Sequence, residues 1–158
     1  ETVVNSKPLV GPAAAAGRKV AEWVLTRPAI ARTDDARPWC MIWGGETTVD
    51  LTGPHGRGGR CQELALAAAE RLAGAGSRPG LRVLALGTDG RDGPTDAAGG
   101  VVDAETWGKI RAAGIEPAAA LAGHDPSPAL DAAGARVKLG LTGTNVMDVV
   151  IALELQGQ

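Results

Sequence analysis

The run RVLAL (82–86) reads as a continuous apolar strand and then breaks at once into GTDGRDGPTDAAGG (87–100). A strand that does not alternate suits a sheet covered on both faces, so this feature points to a sheet with helices packed against it. The remaining segments agree. ETVVN (1–5) is short and β-prone, and Pro12 and Pro28 bracket a helical pattern that repeats Val20, Trp23 and Val24 at core spacing. WCMIW (39–43) predicts a buried strand, GGE a break, and TTVDLT (47–52) an alternating strand, together a hairpin. RCQELALAAAERLAG predicts a helix with Leu64, Ala68 and Leu72 on one stripe and Gly74 as terminator. Asp103 can cap a helix over AETWGKIRAA, and Pro117 and Ser127-Pro128 open two short ones. RVKLGL (136–141) and VMDVVIALEL (146–155) predict a second hairpin. Strands alternating with helices give an α/β fold, a three-layer α/β/α domain with a mixed β-sheet. ARTDDARP (31–38) reads as a polar connector.

Composition narrows the function. A net charge of −2 offers no attraction to nucleic acid or anionic lipid, and the chain has four Trp but no Phe or Tyr, so it lacks stacking platforms for single strands. Cys40 and Cys61 do not form a zinc-ligand spacing, and a reduced, cytoplasmic setting is expected. No apolar run approaches the roughly 20 residues of a membrane span, and ETVVNSKPLV has no signal-peptide pattern. The first residue is Glu rather than Met, which reads as a fragment, a processed chain or a cloned domain.

Three polar loops follow three predicted strands: GGETT, GTDGRDGPTD and TGTN. In α/β sheets ligands collect beyond the carboxyl ends of strands, so loops sharing one rim would form a single site. Asp89, Asp92 and Asp96 crowd into one short loop, where they suit a magnesium ion that takes one or two carboxylates, or a base for a hydroxyl proton. The competing reading is that Asp beside Gly and Pro makes ordinary Asx-turns, and that Asp96 is only a cap. GPHGRGGR (53–60) is neither a Walker loop nor a dinucleotide fingerprint, yet it enters a helix whose free N–H groups favour an anion, with Arg57 and Arg60 as added donors. It also suits a plain surface loop with solvated arginines. GGETT and TGTN equally suit tight turns. Cys61 opens a helix, where a thiol pKa can be lowered. His55 and His124 lie in loops, and no Ser or Cys sits in a nucleophile elbow.

Taken together, GGETTVDLTGPHGRGGRCQELALA, LGTDGRDGPTDAAGGVVD and LTGTNVMDVVIAL resemble the MOFRL domain, the carboxy-terminal domain of glycerate kinases that phosphorylate the 2-position. Many members of that family carry the older label hydroxypyruvate reductase. The resemblance runs from about residue 39 to 155, and residues 1–38 then correspond to the tail of the amino-terminal domain plus a linker, with 39–158 the MOFRL domain. It implies an active site between two domains, with Mg²⁺, ATP and D-glycerate, and an amino-terminal domain as partner; homodimer formation is left open.

The catalytic candidates are Asp89 and Arg60. Candidates for substrate or nucleotide binding are Gly44, Gly45, Glu46, Thr47, Arg57, Thr88, Asp92, Thr95, Asp96, Thr142, Gly143, Thr144 and Asn145, with Asp89 and Asp92 as metal ligands. Two stretches depart from the family pattern. Cys61 stands where asparagine is usual, and GHDPSP (123–128) replaces a stretch commonly rich in Asn. The first expectation is an ATP-dependent glycerate 2-kinase. An NAD(P)H-dependent hydroxypyruvate reductase ranks lower, because no G-x-G-x-x-G lies between strand and helix here. A third reading is a half-site, inert without its partner domain.

Overall fold

A computed structural model describes residues 1–27, 37–76 and 78–155. Most of the expected connector at 31–38 therefore lies outside the described residues, as does Pro28. In chain order the elements are β1 (Thr2–Val4), β2 (Leu9–Pro12), α1 (Ala13–Thr26), β3 (Trp39–Thr48), α2 (Arg60–Ala73), β4 (Leu81–Gly87) and β5 (Gly99–Val102). Then follow α3 (Thr106–Ala112), α4 (Pro117–Ala122), α5 (Pro126–Ala132), β6 (Arg136–Val137) and β7 (Asp148–Glu154). The fold is α/β with a mixed seven-stranded sheet in the order β1-β3-β7-β4-β5-β6, and β2 pairs with β3 beyond β1.

The last strand occupies the middle. β7 runs antiparallel to both β3 and β4, so its first residue, Asp148, pairs laterally with Gly45 on one side and Gly87 on the other. The carboxyl ends of β3 and β4 and the entry to β7 thereby share one rim. Neither predicted hairpin forms. β3 continues through Gly44 and Gly45 to Thr48 and takes in the first two residues of TTVDLT. It can do so because Gly45, at φ +149, lets the Leu9 backbone of β2 approach where a Cβ would lie 2.2 Å from the Leu9 carbonyl. β6 pairs with β5, not with β7. The apolar VVIAL of β7 needs a central place, whereas RVKLGL carries charge and pairs over only two residues at the edge. β2 and β5 were not legible as strands, since LVGP and GGVV carry strand-breaking residues.

The core is built without Phe or Tyr, so tryptophan supplies its bulk. Trp39, Met41 and Trp43 of β3 point to one face and meet Val20 and Val24 of α1 and Leu64 and Leu72 of α2 in one cluster. Trp23 packs edge-on against Trp39 and Trp43, with ring centroids 6.3 and 5.4 Å apart. Helix α2 is more than the expected stripe. Every residue from Cys61 to Ala69 is buried, because the sheet lies on one side and α1, α3, α4 and α5 surround the rest. The opposite face of the sheet, with Ile42, Leu84 and Ile151, is only half-buried. β1, β2 and α1 belong to the same sheet and core as the remainder.

Candidate active site

Helix α2 begins at the shared rim and has no side-chain cap from Gly59, which precedes it. Asp92 does that work from the neighbouring loop. Its Oδ1 accepts the Cys61 N–H at 3.0 Å, and its Oδ2 accepts the Gln62 N–H at 2.8 Å and the Gln62 side-chain amide at 3.0 Å. The same amide donates to Thr95 Oγ1 at 3.0 Å. The fit needs glycine at 59, where a Cβ would lie 2.4 Å from the Asp92 carboxyl. Burial pushes the Asp92 carboxyl above the usual range, and the N–H groups of α2 oppose that rise. Asp92 and Thr95 therefore hold the helix start.

That start presents Arg60. Its Nε donates to Asp148 Oδ2 at 2.6 Å and its Nη2 to Asp148 Oδ1 at 3.0 Å, a two-pronged contact with a carboxylate only 7% exposed. Nη1 forms an ion pair at 3.0 Å with Glu46, whose side chain is 53% exposed. The hydrogen bond to Asp148 raises the already high Arg60 pKa further, so the guanidinium is a permanent cation.

Glu46, Thr47, Arg60, Asp89 and Asp92 line one cavity of about 660 Å³. Asp89 is half-buried there; its Oδ1 accepts the Arg91 N–H at 3.0 Å, and its Oδ2 has no partner among the described residues. The TGTN loop is laced to the GTDG loop beside this cavity. Thr88 Oγ1 donates to the Met147 carbonyl at 2.7 Å and accepts the Val146 N–H at 2.8 Å. The Thr142 hydroxyl donates to the Thr88 carbonyl, and the Thr142 N–H to the Asp89 carbonyl at 3.2 Å. Asn145 Oδ1 accepts the Met147 N–H at 3.1 Å. Thr142, Gly143, Thr144 and Asn145 are exposed and stand next to the cavity rather than in its wall.

Other expected residues lie elsewhere. Gly44 and Gly45 are strand positions outside the cavity wall. Asp96 pairs with Lys138 at 2.6 Å and Arg136 at 3.0 Å, which ties the loop to the β6 segment and lowers its pKa, chiefly through Lys138. The Arg57 N–H donates to Asp125 Oδ1 at 2.6 Å, and its side chain does not line the cavity. The Cys61 thiol is shifted opposite to the helix-entry reading: burial, and then the nearby Asp92, raise its pKa.

Sequence reasoning missed Asp148, Gln62, Glu63 and the placement of His124. The signal for Asp148 was present, as an acidic residue on the core-facing register of an otherwise apolar strand must have a partner. Among the described residues, no three His, Cys, Asp or Glu side chains are grouped to hold a metal ion on their own. No helix of the described residues is long and apolar enough to cross a membrane.

Comparison with known proteins gives a consistent result. The sequence profile of the MOFRL family matches residues 39–148. The D-glycerate 2-kinase of Thermotoga maritima is 48% identical over 117 residues, which span 74% of this chain and 27% of that protein. The glycerate 2-kinase of Pyrococcus horikoshii is 44% identical over 116 residues, 73% of this chain and 26% of that one. The crystal structure of the Thermotoga maritima glycerate kinase matches with a TM-score of 0.86 at 39% identity, covering 98% of this chain and 36% of that one. The chain thus spans about a quarter of the length of the curated relatives it matches.

Proposed function

The chain belongs to the MOFRL family, and from that premise we propose that it is the carboxy-terminal domain of an ATP-dependent glycerate 2-kinase, acting on D-glycerate together with an amino-terminal domain. The observation that carries this reading is the pairing, across one cavity, of a fixed cation with a carboxylate oxygen left free: Arg60 on its Asp148 support, and Asp89 Oδ2. In-line phosphoryl transfer is catalysed chiefly by positioning and by neutralising phosphate charge, and these two groups suit those tasks.

Arg60 anchors the substrate carboxylate or a phosphate through Nη1, the part of the guanidinium that faces the exposed Glu46. The incoming anion replaces Glu46 there. Magnesium fits the donor set at Asp89 better than at Asp92. It is content with one protein carboxylate when phosphate and water supply the rest, and both Asp92 oxygens already serve α2. The ion would neutralise the phosphate oxygens. Thr88 and Thr142 fix the backbone that carries Asp89. No lysine lines the cavity among the described residues, so the partner domain is expected to bring further cationic groups, and the domain alone to be inert.

The test is to supply the full-length protein with glycerate and Mg-ATP, and separately with hydroxypyruvate and NADH. Consumption of ATP with phosphoglycerate formation supports the reading, and consumption of NADH alone overturns it in favour of a reductase. Asp89→Asn is expected to abolish turnover with the thermal midpoint nearly unchanged. Titration of Mg-ATP into the isolated domain checks its inertness, since saturable binding there contradicts a half-site.

A further inference from the structure

Glu63 lies one turn after Arg60 on α2 and is 4% exposed. Of the other buried carboxylates, Asp148 and Glu154 each hold an arginine and Asp92 holds the start of α2; among the described residues the Glu63 carboxylate has one partner, the Nδ1 of His124 at 2.7 Å. Both line the cavity that contains Arg60 and Asp89, and His124 Nε2 has no partner among the described residues. The ring is held on purpose-built backbone. His124 sits at φ +50, a left-handed conformation that few side chains adopt, between α4 and α5. The loop around it is tied down by Gly56 N–H to the Gly123 carbonyl at 2.9 Å, Asp125 N–H to the Ala120 carbonyl at 2.8 Å, and Ser127 N–H to the Arg57 carbonyl at 2.9 Å.

With the Glu63 carboxylate as acceptor, the neutral imidazole carries its proton on Nδ1 and its lone pair on Nε2. A buried acid that orients an imidazole whose second nitrogen is open to a substrate cavity is the arrangement of a general base. The other titratable and charged groups lining the same cavity are Glu46 from β3, Arg60 from α2, His55 from the loop before it, and Asp89, Arg91 and Asp92 from the 87–96 loop; Asp125 is the next residue in the chain.

We propose that His124, oriented by Glu63, takes the proton of the hydroxyl that is phosphorylated. The inference rests on the kinase reading above. The hydroxyl proton passes to His124 Nε2 as the oxygen forms its bond to the γ-phosphorus; the bond from that phosphorus to the β–γ bridging oxygen breaks, and its electron pair leaves with ADP. The proton then returns to solvent.

The experiment uses the full-length protein, wild type and His124→Asn, Asn being a residue that tolerates the left-handed backbone. The variant is expected to lower kcat for glycerate phosphorylation about a hundredfold, within the usual range of about 10²–10⁴ for a general base. KM for glycerate and Mg-ATP should stay within about twofold, and the acid-side fall of the wild-type kcat–pH profile should disappear. Glu63→Gln should give a smaller fall in kcat. Nitrogen-15 NMR of the full-length protein, with the His124 ring assigned as the signals lost in His124→Asn, should show the proton on Nδ1 at neutral pH. A His124→Asn enzyme with kcat near wild type, or the proton on Nε2, overturns this inference and leaves the kinase reading standing. A wild-type protein that phosphorylates no glycerate overturns both.

Discussion

Strand β7 carries one buried carboxylate at each end, and the two have been put to different uses. Asp148 and Glu154 lie on the same core-facing register, and each is gripped by an arginine from outside the strand. At the far end the arginine is Arg78, itself only 10% exposed. It binds Glu154 through Nε at 2.9 Å and through Nη2, while Nη1 donates to the carbonyls of Val24 and Arg27, and Trp39 Nε1 donates to the same carboxylate at 3.0 Å. That cluster joins α1, β3 and β7 and is closed to solvent. At the loop end Arg60 is 38% exposed, and among the described residues its outward edge pairs with Glu46, an exposed side chain. A sealed ion pair fixes the packing of three elements; a half-open one leaves a fixed charge facing a cavity. Identical pairing chemistry thus becomes structure or site according to how much of the arginine the fold encloses.

Four substitutions separate the two ends of β7. Glu154→Ala removes the buried carboxylate that Arg78 and the Trp39 N–H share and should cost about 3–5 kcal/mol in urea unfolding; a loss near 1 kcal/mol would mean the cluster is wetter than its burial indicates. Arg60→Lys keeps the charge but loses the two-pronged grip on Asp148. In the full-length enzyme it should lower kcat/KM roughly a hundredfold, about 2.7 kcal/mol, with a smaller change in stability. Equal damage to folding and turnover would erase the distinction between the two ends. Asp92→Asn replaces one acceptor oxygen at the start of α2 with a donor and should destabilise by about 1–2 kcal/mol. A complete loss of turnover at unchanged stability would instead make Asp92 a ligand. Glu46→Gln removes an exposed partner, so stability should shift by well under about 1 kcal/mol, while phosphate or glycerate binding at Arg60, read by calorimetry, should tighten.

How far this was legible differs by element. The helix over Arg60–Ala73 and the strand at 81–87 follow from apolar runs bounded by glycine, and both stand nearly where expected. Asp103, just before the next helix, accepts the Glu105 and Thr106 N–H groups at 2.9 Å, because Asp with a following helical pattern is a local signal. Strand pairing was misread. A hairpin was the natural partner for TTVDLT and for RVKLGL, yet β3 runs on through its glycines and β7 inserts between β3 and β4. Of the acidic trio, the motif marks all three alike. Only packing separates Asp92 under a helix, Asp96 on two cations, and Asp89 with an oxygen to spare. His124 gave no warning, since its partner Glu63 lies 61 residues away.

Local sequence sets where the chain must turn, which runs must be buried, and the acidic and backbone-donor chemistry of its loops. Those properties act over a few residues, through steric limits on the backbone and the cost of exposing apolar surface. Which acidic group meets which cation was decided only by the tertiary structure. Charge pairing depends on strand order and on burial, and here a single antiparallel strand, arriving last, brought the ends of β3 and β4 to a common edge.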